Sequence, residues 1–149
     1  MAENPRESTD QGAELQDSLL DAALMHVVFD GWSAATWEAA LADSGVDRTL
    51  VEALFPRRAL DLAVAYHKRG DAQMLQRLAE ADLGSFRFRD KVAAAVRYRL
   101  EVVGDKEAVR RGATLFAMPQ HAAEGTRLIW GTSDAIWSAL GDTSEDVNW

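Results

Sequence analysis

Apolar residues recur every three or four positions along most of the chain, which is the spacing of an α-helix. The first such stripe contains Leu15, Leu19, Ala22, Met25, Val28 and Phe29, and it stops at Gly31. Strand-like alternation is absent, and the 3 prolines stand at positions 5, 56 and 119. Because Ala, Leu, Arg and Glu favour helices, the pattern predicts an all-α fold.

Helix boundaries are predicted from capping residues and helix breakers. Ser33 and Asp47 are the expected N-caps of two short helices, the second of which ends at Phe55 before Pro56. The next helix is expected to stop at Gly70, with Asp71 capping its continuation. The last three predicted helices cover residues 85–103, 106–118 and 120–140. In the first of these, Val92, Val96, Leu100 and Val103 form the predicted buried face.

Length and polarity predict one domain with an N-terminal tail. A chain of 149 residues, 48% hydrophobic and 27% charged, is typical of a single globular domain. Residues 1–14 are polar and acidic and are expected to be a mobile tail. The predicted domain covers residues 15–149, with a helix-turn-helix-like part over 15–56 and a lipid-binding and dimerisation part over 57–149.

The net charge of -8 disfavours nucleic acid, because phosphate backbones repel an acidic surface. The sequence has no cysteine, which removes disulfides and thiolate chemistry and fits a reducing compartment. No window of about twenty apolar residues is long enough to span a bilayer. The N-terminus resembles neither a secretory signal nor a transit peptide, which favours a cytosolic chain.

Sequence signatures of catalysis are missing. There is no glycine-rich phosphate-binding loop. The histidines, His26, His67 and His121, do not form the Glu-x-x-His pairs of di-iron bundles. We therefore expect no metal, no cofactor and no enzymatic activity.

Residues 34–56 have the length and turn chemistry of a helix-turn-helix. The run from Leu50 to Pro56 resembles the TetR-type repressor pattern, in which a Leu-Tyr-x-His-Phe run closes the recognition helix. Here Glu52, Ala53 and Leu54 occupy the positions of the DNA-facing residues. Since recognition requires donors for phosphates and base edges, we expect a structural subdomain that binds no nucleic acid.

The C-terminal half carries a more specific resemblance. Ala117-Met118-Pro119 and Asp134-x-x-Trp137 are followed by Gly141-Asp142-x-Ser144-x-Asp146-x-Asn148-Trp149. With the repressor-like N-terminal half, this resembles the ubiquinone biosynthesis accessory family, ninth in the COQ series. The resemblance implies a TetR-like helical bundle that forms homodimers, binds lipids and contacts membranes peripherally. Such proteins support the di-iron hydroxylase of demethoxyubiquinone. That family continues past this tryptophan, so we expect its C-terminal helices to be missing.

The resemblance favours a lipid slot over ordinary core packing along the last helix. Small residues there alternate with bulky apolar ones, which can leave an apolar gap between helices. The expected ligand is an isoprenoid quinone or a phospholipid. The residues predicted to line the slot are Val96, Leu100, Leu115, Phe116, Ile129, Trp130, Gly131, Ile136, Trp137 and Leu140.

Two surfaces complete the prediction. The polar run Asp142, Ser144, Asp146 and Asn148 with Trp149 is expected to dock the hydroxylase. Residues 87–111 hold eight cations against four carboxylates, which suits either contact with an anionic membrane or ion pairs between neighbouring turns of a helix.

A bacterial member would act in the cytoplasm at the inner membrane, and a eukaryotic one on the matrix side. The alternative function is a TetR-like regulator that senses an apolar ligand.

Overall fold

The computed structural model describes residues 5–141, which form α-helices and contain no strand. This confirms the predicted all-α fold. The helices are α1 (Pro5–Asp30), α2 (Ala34–Ser44), α3 (Arg48–Leu54), α4 (Ala59–Glu80), α5 (Phe88–Glu101), α6 (Lys106–Ala117) and α7 (Ala122–Ala139). No helix in the described range is long and apolar enough to cross a membrane.

The chain divides into two compact units. The first extends to Tyr66 and includes Lys106–Leu115, and the second comprises His67–Asp105 and the residues from Phe116 onwards. The sequence predicts a division at residue 56 instead. Phe55 and Ala59 are both buried, and Leu62 and Ala63 beyond them are buried as well. The apolar core therefore continues past Pro56 into the first turns of α4.

Helix α1 starts at Pro5, so residues 5–14 of the predicted tail are helical, and their mobility stays a prediction. Proline suits the first turn of a helix because its missing N–H has no intrahelical partner there. The helix ends before Gly31, whose φ of 64° reverses the chain as predicted. Its buried face differs in part from the expected stripe, because Leu20, Ala23 and Val27 are buried whereas Met25 and Phe29 are exposed.

The caps of α2 and α3 confirm the predicted helix-turn-helix spacing. Ser33 Oγ accepts a hydrogen bond from the Thr36 N–H at 3.3 Å, and Asp47 accepts one from the Leu50 N–H at 3.0 Å. Gly45, with φ of 64°, ends α2. The spacing alone does not establish a TetR-like fold, which stays a prediction.

Buried aromatic side chains fix α6 within the first unit. Trp32 Nε1 donates to the Ala108 carbonyl at 3.1 Å, and Trp32 also packs against Tyr66. Arg111 donates to the Val28 carbonyl near the C-terminal end of α1 at 3.3 Å, where a cation complements the helix dipole.

Helix α4 continues through Gly70, so the break predicted there is wrong. Gly70 is buried, and a Cβ added to it would lie 2.5 Å from Nη1 of Arg99. Asp71 binds the same guanidinium at 2.7 Å and does not cap a new helix. The glycine is thus explained by the close approach of the Arg99 guanidinium rather than by a turn.

Only part of the predicted buried face of helix α5 is exposed, since Val92 and Val103 are half-buried. Its buried residues are Ala94 and Ala95, whereas Val96 is 45% exposed and Leu100 is 69% exposed. Alanine lets the helix approach its neighbours closely, and Ala95 joins a core with Met74, Leu78 and Ile136. The Val96 and Leu100 part of the predicted apolar stripe therefore lies at the surface.

Candidate functional site

The ten residues predicted to bind lipid are distributed over both units and differ in their exposure. Leu115 belongs to the first unit and the others to the second. Five are exposed, namely Val96, Leu100, Ile129, Trp130 and Gly131, and Ile136 is buried in the core of the second unit. The half-buried ones are Leu115, Phe116, Trp137 and Leu140.

Gly131, which is predicted to line the slot, is exposed. A Cβ added at Gly131 would meet no atom within 4 Å, so this glycine faces open space. The close approach lies at Gly125 instead, where a Cβ would lie 2.8 Å from Cβ of Phe116. Small residues on α7 therefore allow helix packing at Gly125 and leave an open surface at Gly131.

The outward side of α7 is an apolar surface. Ile129 is 67% exposed and Trp130 is 57% exposed, although Leu128 beside them is buried. Thr126 and Ser133 lie on the same side by helical spacing, and each donates its hydroxyl hydrogen to a carbonyl of its own helix, at 2.9 and 3.1 Å. With their hydroxyls bonded internally, these two residues add little polarity. We call Thr126, Ile129, Trp130 and Ser133 the α7 apolar face.

Trp137 lies about two helical turns further along α7 than Trp130. Its ring stacks on that of Phe88 at 5.0 Å, with an interplanar angle of 21°. Offset-stacked aromatic rings at this separation attract one another. This contact joins the start of α5 to the last turns of α7.

A polar network lies behind α7, and no sequence pattern indicates it because its members are far apart in the chain. His67 Nε2 lies 2.9 Å from Thr132 Oγ1, and that oxygen lies 2.9 Å from both carboxylate oxygens of Asp71. Arg99 completes the network by donating to Asp71 at 2.7 Å and to the His67 carbonyl at 3.0 Å.

Burial lowers the pKa of His67, because desolvation disfavours the charged imidazolium. The neighbouring Asp71 carboxylate raises this pKa, and the Arg99 charge lowers it further. The arrangement joins α4, α5 and α7 through satisfied polar groups. Within residues 5–141, no group of three or more histidine and carboxylate side chains could hold a metal ion.

The recognition-helix position is poorly suited to DNA. Arg48 binds Glu38 through both terminal nitrogens and also donates to Glu52 at 3.3 Å. The hydrogen bond from Arg48 lowers the pKa of Glu38, so that carboxylate is held ionised. Leu50 and Leu54 are exposed on the same helix. A phosphate would have to displace carboxylates to reach this cation.

The predicted docking residues Asp142, Ser144, Asp146, Asn148 and Trp149 lie outside the described residues. The docking surface therefore stays a prediction. The described part of α7 ends just before them, at Ala139, with Gly141 at φ of 83°.

Comparison with known proteins places α7 in a defined family. The COQ9 family model matches residues 122–149. A Drosophila melanogaster protein named "Ubiquinone biosynthesis protein COQ9, mitochondrial" is 30% identical over 140 residues, which cover 91% of this chain. The chain belongs to the COQ9 family. It spans 43% of the length of that relative. COQ9 membership confirms the resemblance read from the sequence.

Proposed function

We propose that this COQ9-family chain is a non-catalytic lipid-binding protein of ubiquinone biosynthesis. In this role it presents a quinone precursor to the di-iron demethoxyubiquinone hydroxylase. The observation that carries the proposal is the α7 apolar face, which lies inside the segment matched by the family model. An isoprenoid chain gains about 0.8 kcal/mol for each methylene it buries, so exposed Ile129 and Trp130 can contribute to binding without charged groups.

Ligand contact would occur at the α7 apolar face and on the open surface beside Gly131. This revises the enclosed slot, because Gly131 faces open space. A homodimer, as the resemblance implies, would bring a second copy of these surfaces and could enclose the lipid. Peripheral attachment to the bacterial inner membrane, or to the matrix side in mitochondria, would give the chain access to its ligand.

Lipid extraction from the purified chain tests this function. Mass spectrometry of the extract should detect an isoprenoid quinone or a phospholipid. Replacing Ile129→Ser and Trp130→Ser together should deplete that lipid. The matched control replaces Met25→Ser and Phe29→Ser, two exposed apolar residues of the first unit, and should retain it. Equal lipid content in both variants would reject the α7 apolar face as the contact.

The hydroxylase interaction has a separate test. Trp149 is the predicted anchor, and Trp149→Ala should cost about 2 kcal/mol or more of hydroxylase affinity in a pull-down or titration. Helicity and lipid content should stay unchanged. Normal hydroxylase binding by this variant would remove the docking proposal and leave the lipid-binding proposal standing.

The regulator alternative is less favoured by the geometry. A TetR-like regulator needs free donors on its recognition helix, and Arg48 is held by Glu38 and Glu52. A gel shift with genomic DNA fragments distinguishes the two functions.

A further inference from the structure

Helix α1 has an outer face that is acidic along most of its length and apolar at its end. The exposed residues that share this side by helical spacing are Asp10, Glu14, Asp17, Asp21, Met25 and Phe29, and we call them the α1 outer face. Met25 is 72% exposed and Phe29 is 79% exposed, more than any other large apolar side chain of the described residues. Arg6 is the only lysine or arginine of α1, so the helix itself supplies almost no positive charge to this face.

This arrangement is unfavourable for the helix on its own. Asp10 and Glu14 are carboxylates four residues apart, as are Asp17 and Asp21, and like charges at that spacing destabilise a helix. The favourable effect of acids at a helix N-terminus is confined to the first turn, and these residues lie beyond it. A partner that is both cationic and apolar would relieve the repulsion and cover the exposed apolar end.

Helix α5 carries a face of the opposite charge. Its exposed apolar and cationic residues at helical spacing are Arg89, Val96, Arg97 and Leu100, which we call the α5 outer face. No ion pair between described residues involves Arg97, and Arg89 contacts only Asp90, at 3.7 Å. Glu101, at the end of the helix, is paired with Arg77 of α4 at 2.8 Å. The α5 outer face is therefore cationic and apolar.

The two faces match in spacing as well as in charge. The large apolar residues of each face are one turn apart, Met25 and Phe29 on α1 and Val96 and Leu100 on α5. In a parallel arrangement that joins these apolar pairs, Arg89 lies between Asp17 and Asp21. The antiparallel arrangement would carry Arg89 past Asp30, the last residue of α1, and away from the carboxylates. Charge and apolar contact are thus satisfied together when the helices are parallel.

We infer that the α1 outer face of one copy of this chain binds the α5 outer face of a second copy, with the two helices parallel. Charge complementarity selects this occupant over a membrane, because an anionic bilayer repels the carboxylates of α1. The contact joins two different surfaces and is therefore heterologous. It is separate from the homodimer that the resemblance implies, because the predicted dimerisation part covers residues 57–149 and excludes α1.

This inference goes beyond the proposed function, because neither lipid carriage by α7 nor docking of the hydroxylase requires contact between α1 and α5. The two can fail separately. Lipid extraction tests the ligand, and crosslinking between copies tests the contact.

Crosslinking between two single-cysteine chains tests the contact and its direction. The sequence has no cysteine, so a crosslink between two mixed chains that carry one thiol each joins two molecules. Packed helices have axes about 8–10 Å apart, which a short bismaleimide can bridge. Met25→Cys in one chain should therefore crosslink to Val96→Cys in the other. The control Asp10→Cys lies about 22 Å further along α1 and should not crosslink to Val96→Cys.

Charge reversal tests the complementarity of the two faces. Asp17→Lys, added to the chain with the α1 cysteine, should lower the yield of crosslink by about tenfold, because like charges then face each other. Arg89→Glu, added to the chain with the α5 cysteine, should do the same. Combining the two reversed chains should restore the yield. The charge-matched control Asp134→Lys, at an exposed site on α7, should cost far less.

Three results would overturn the inference. They are no crosslink between the chains with cysteine at positions 25 and 96, an equal crosslink from position 10, and no recovery of yield when the two reversed chains are combined. Circular dichroism confirms that each variant is folded, and all the substituted residues are exposed, so folding should be unaffected.

Discussion

Arg99 on α5 donates a hydrogen bond from Nε to Oδ1 of Asp71 on α4 at 2.7 Å. The pair is mostly buried, and the guanidinium lies directly against Gly70. Any side chain at Gly70 would push the guanidinium away from its carboxylate. This contact explains why a glycine lies in the interior of α4.

Gly70→Ala should therefore destabilise the chain, although alanine is the better helix former. Helix propensity alone would favour alanine by about 1 kcal/mol. Displacing Arg99 from Asp71 and from the His67 carbonyl loses charge-assisted hydrogen bonds of about 1.5–3 kcal/mol each. We expect a net loss of about 1 kcal/mol or more in the free energy of unfolding, measured by urea denaturation. A stabilised variant would show that Arg99 relaxes without cost.

Two glycines of α7 should respond oppositely to alanine. A Cβ at Gly125 would lie 2.8 Å from Cβ of Phe116, so Gly125→Ala forces a shift of the helix and should cost about 1–3 kcal/mol. Gly131 faces open space, and Gly131→Ala should be neutral or stabilising by up to about 1 kcal/mol. Thermal unfolding of both variants measures the difference, and similar melting temperatures would contradict the packing described for α7.

The lowered pKa of His67 predicts an acid-sensitive stability. Below about pH 6.5, the unfolded chain protonates this histidine before the folded chain does. The free energy of unfolding is therefore highest above that pH, and it falls as the pH drops towards the lower pKa that His67 has in the folded chain. His67→Gln should remove this decrease in stability at acidic pH, and His121→Gln should retain it. Urea unfolding at about pH 7.5 and about pH 5.5 supplies the comparison.

Carboxylates on the helix-turn-helix-like part should suppress DNA binding. The native chain is expected to leave a defined duplex unshifted at physiological salt. Glu38→Gln with Glu52→Gln frees Arg48 and removes two negative charges, which should raise sequence-independent DNA affinity. A gel shift measures both chains. Operator-specific binding by the native chain would favour the regulator.

Local signals predicted much of the fold correctly. Ser33, Asp47 and Gly31 act within one or two helical turns, so the sequence alone determines their roles as caps and stops. The role of Gly70 cannot be predicted from local signals, because the cause is contact with Arg99, a residue distant in the chain. The orientation of α5 cannot be predicted from periodicity, which places Val96 and Leu100 on one face without showing whether that face packs inwards. Alanines on its other face allow closer packing.

The candidate site was less predictable because it also depends on contacts between residues that are far apart in the chain. The family resemblance directed the site prediction to α7, but the enclosed slot depended on neighbouring residues that periodicity cannot assign. Thr132 is the clearest omission, because it lies between His67 and Asp71 and resembles any other helical threonine in the sequence.

Photocrosslinking at α7 tests the central claim most directly. A photoreactive benzoylphenylalanine in place of Trp130 should form a covalent adduct with the copurified lipid on irradiation, visible as a mass increase of the intact chain. The same group in place of exposed Met25, in the first unit, should form none. An adduct at position 130 alone is the predicted result. No adduct at position 130, or equal adducts at both positions, would contradict lipid binding by the α7 apolar face.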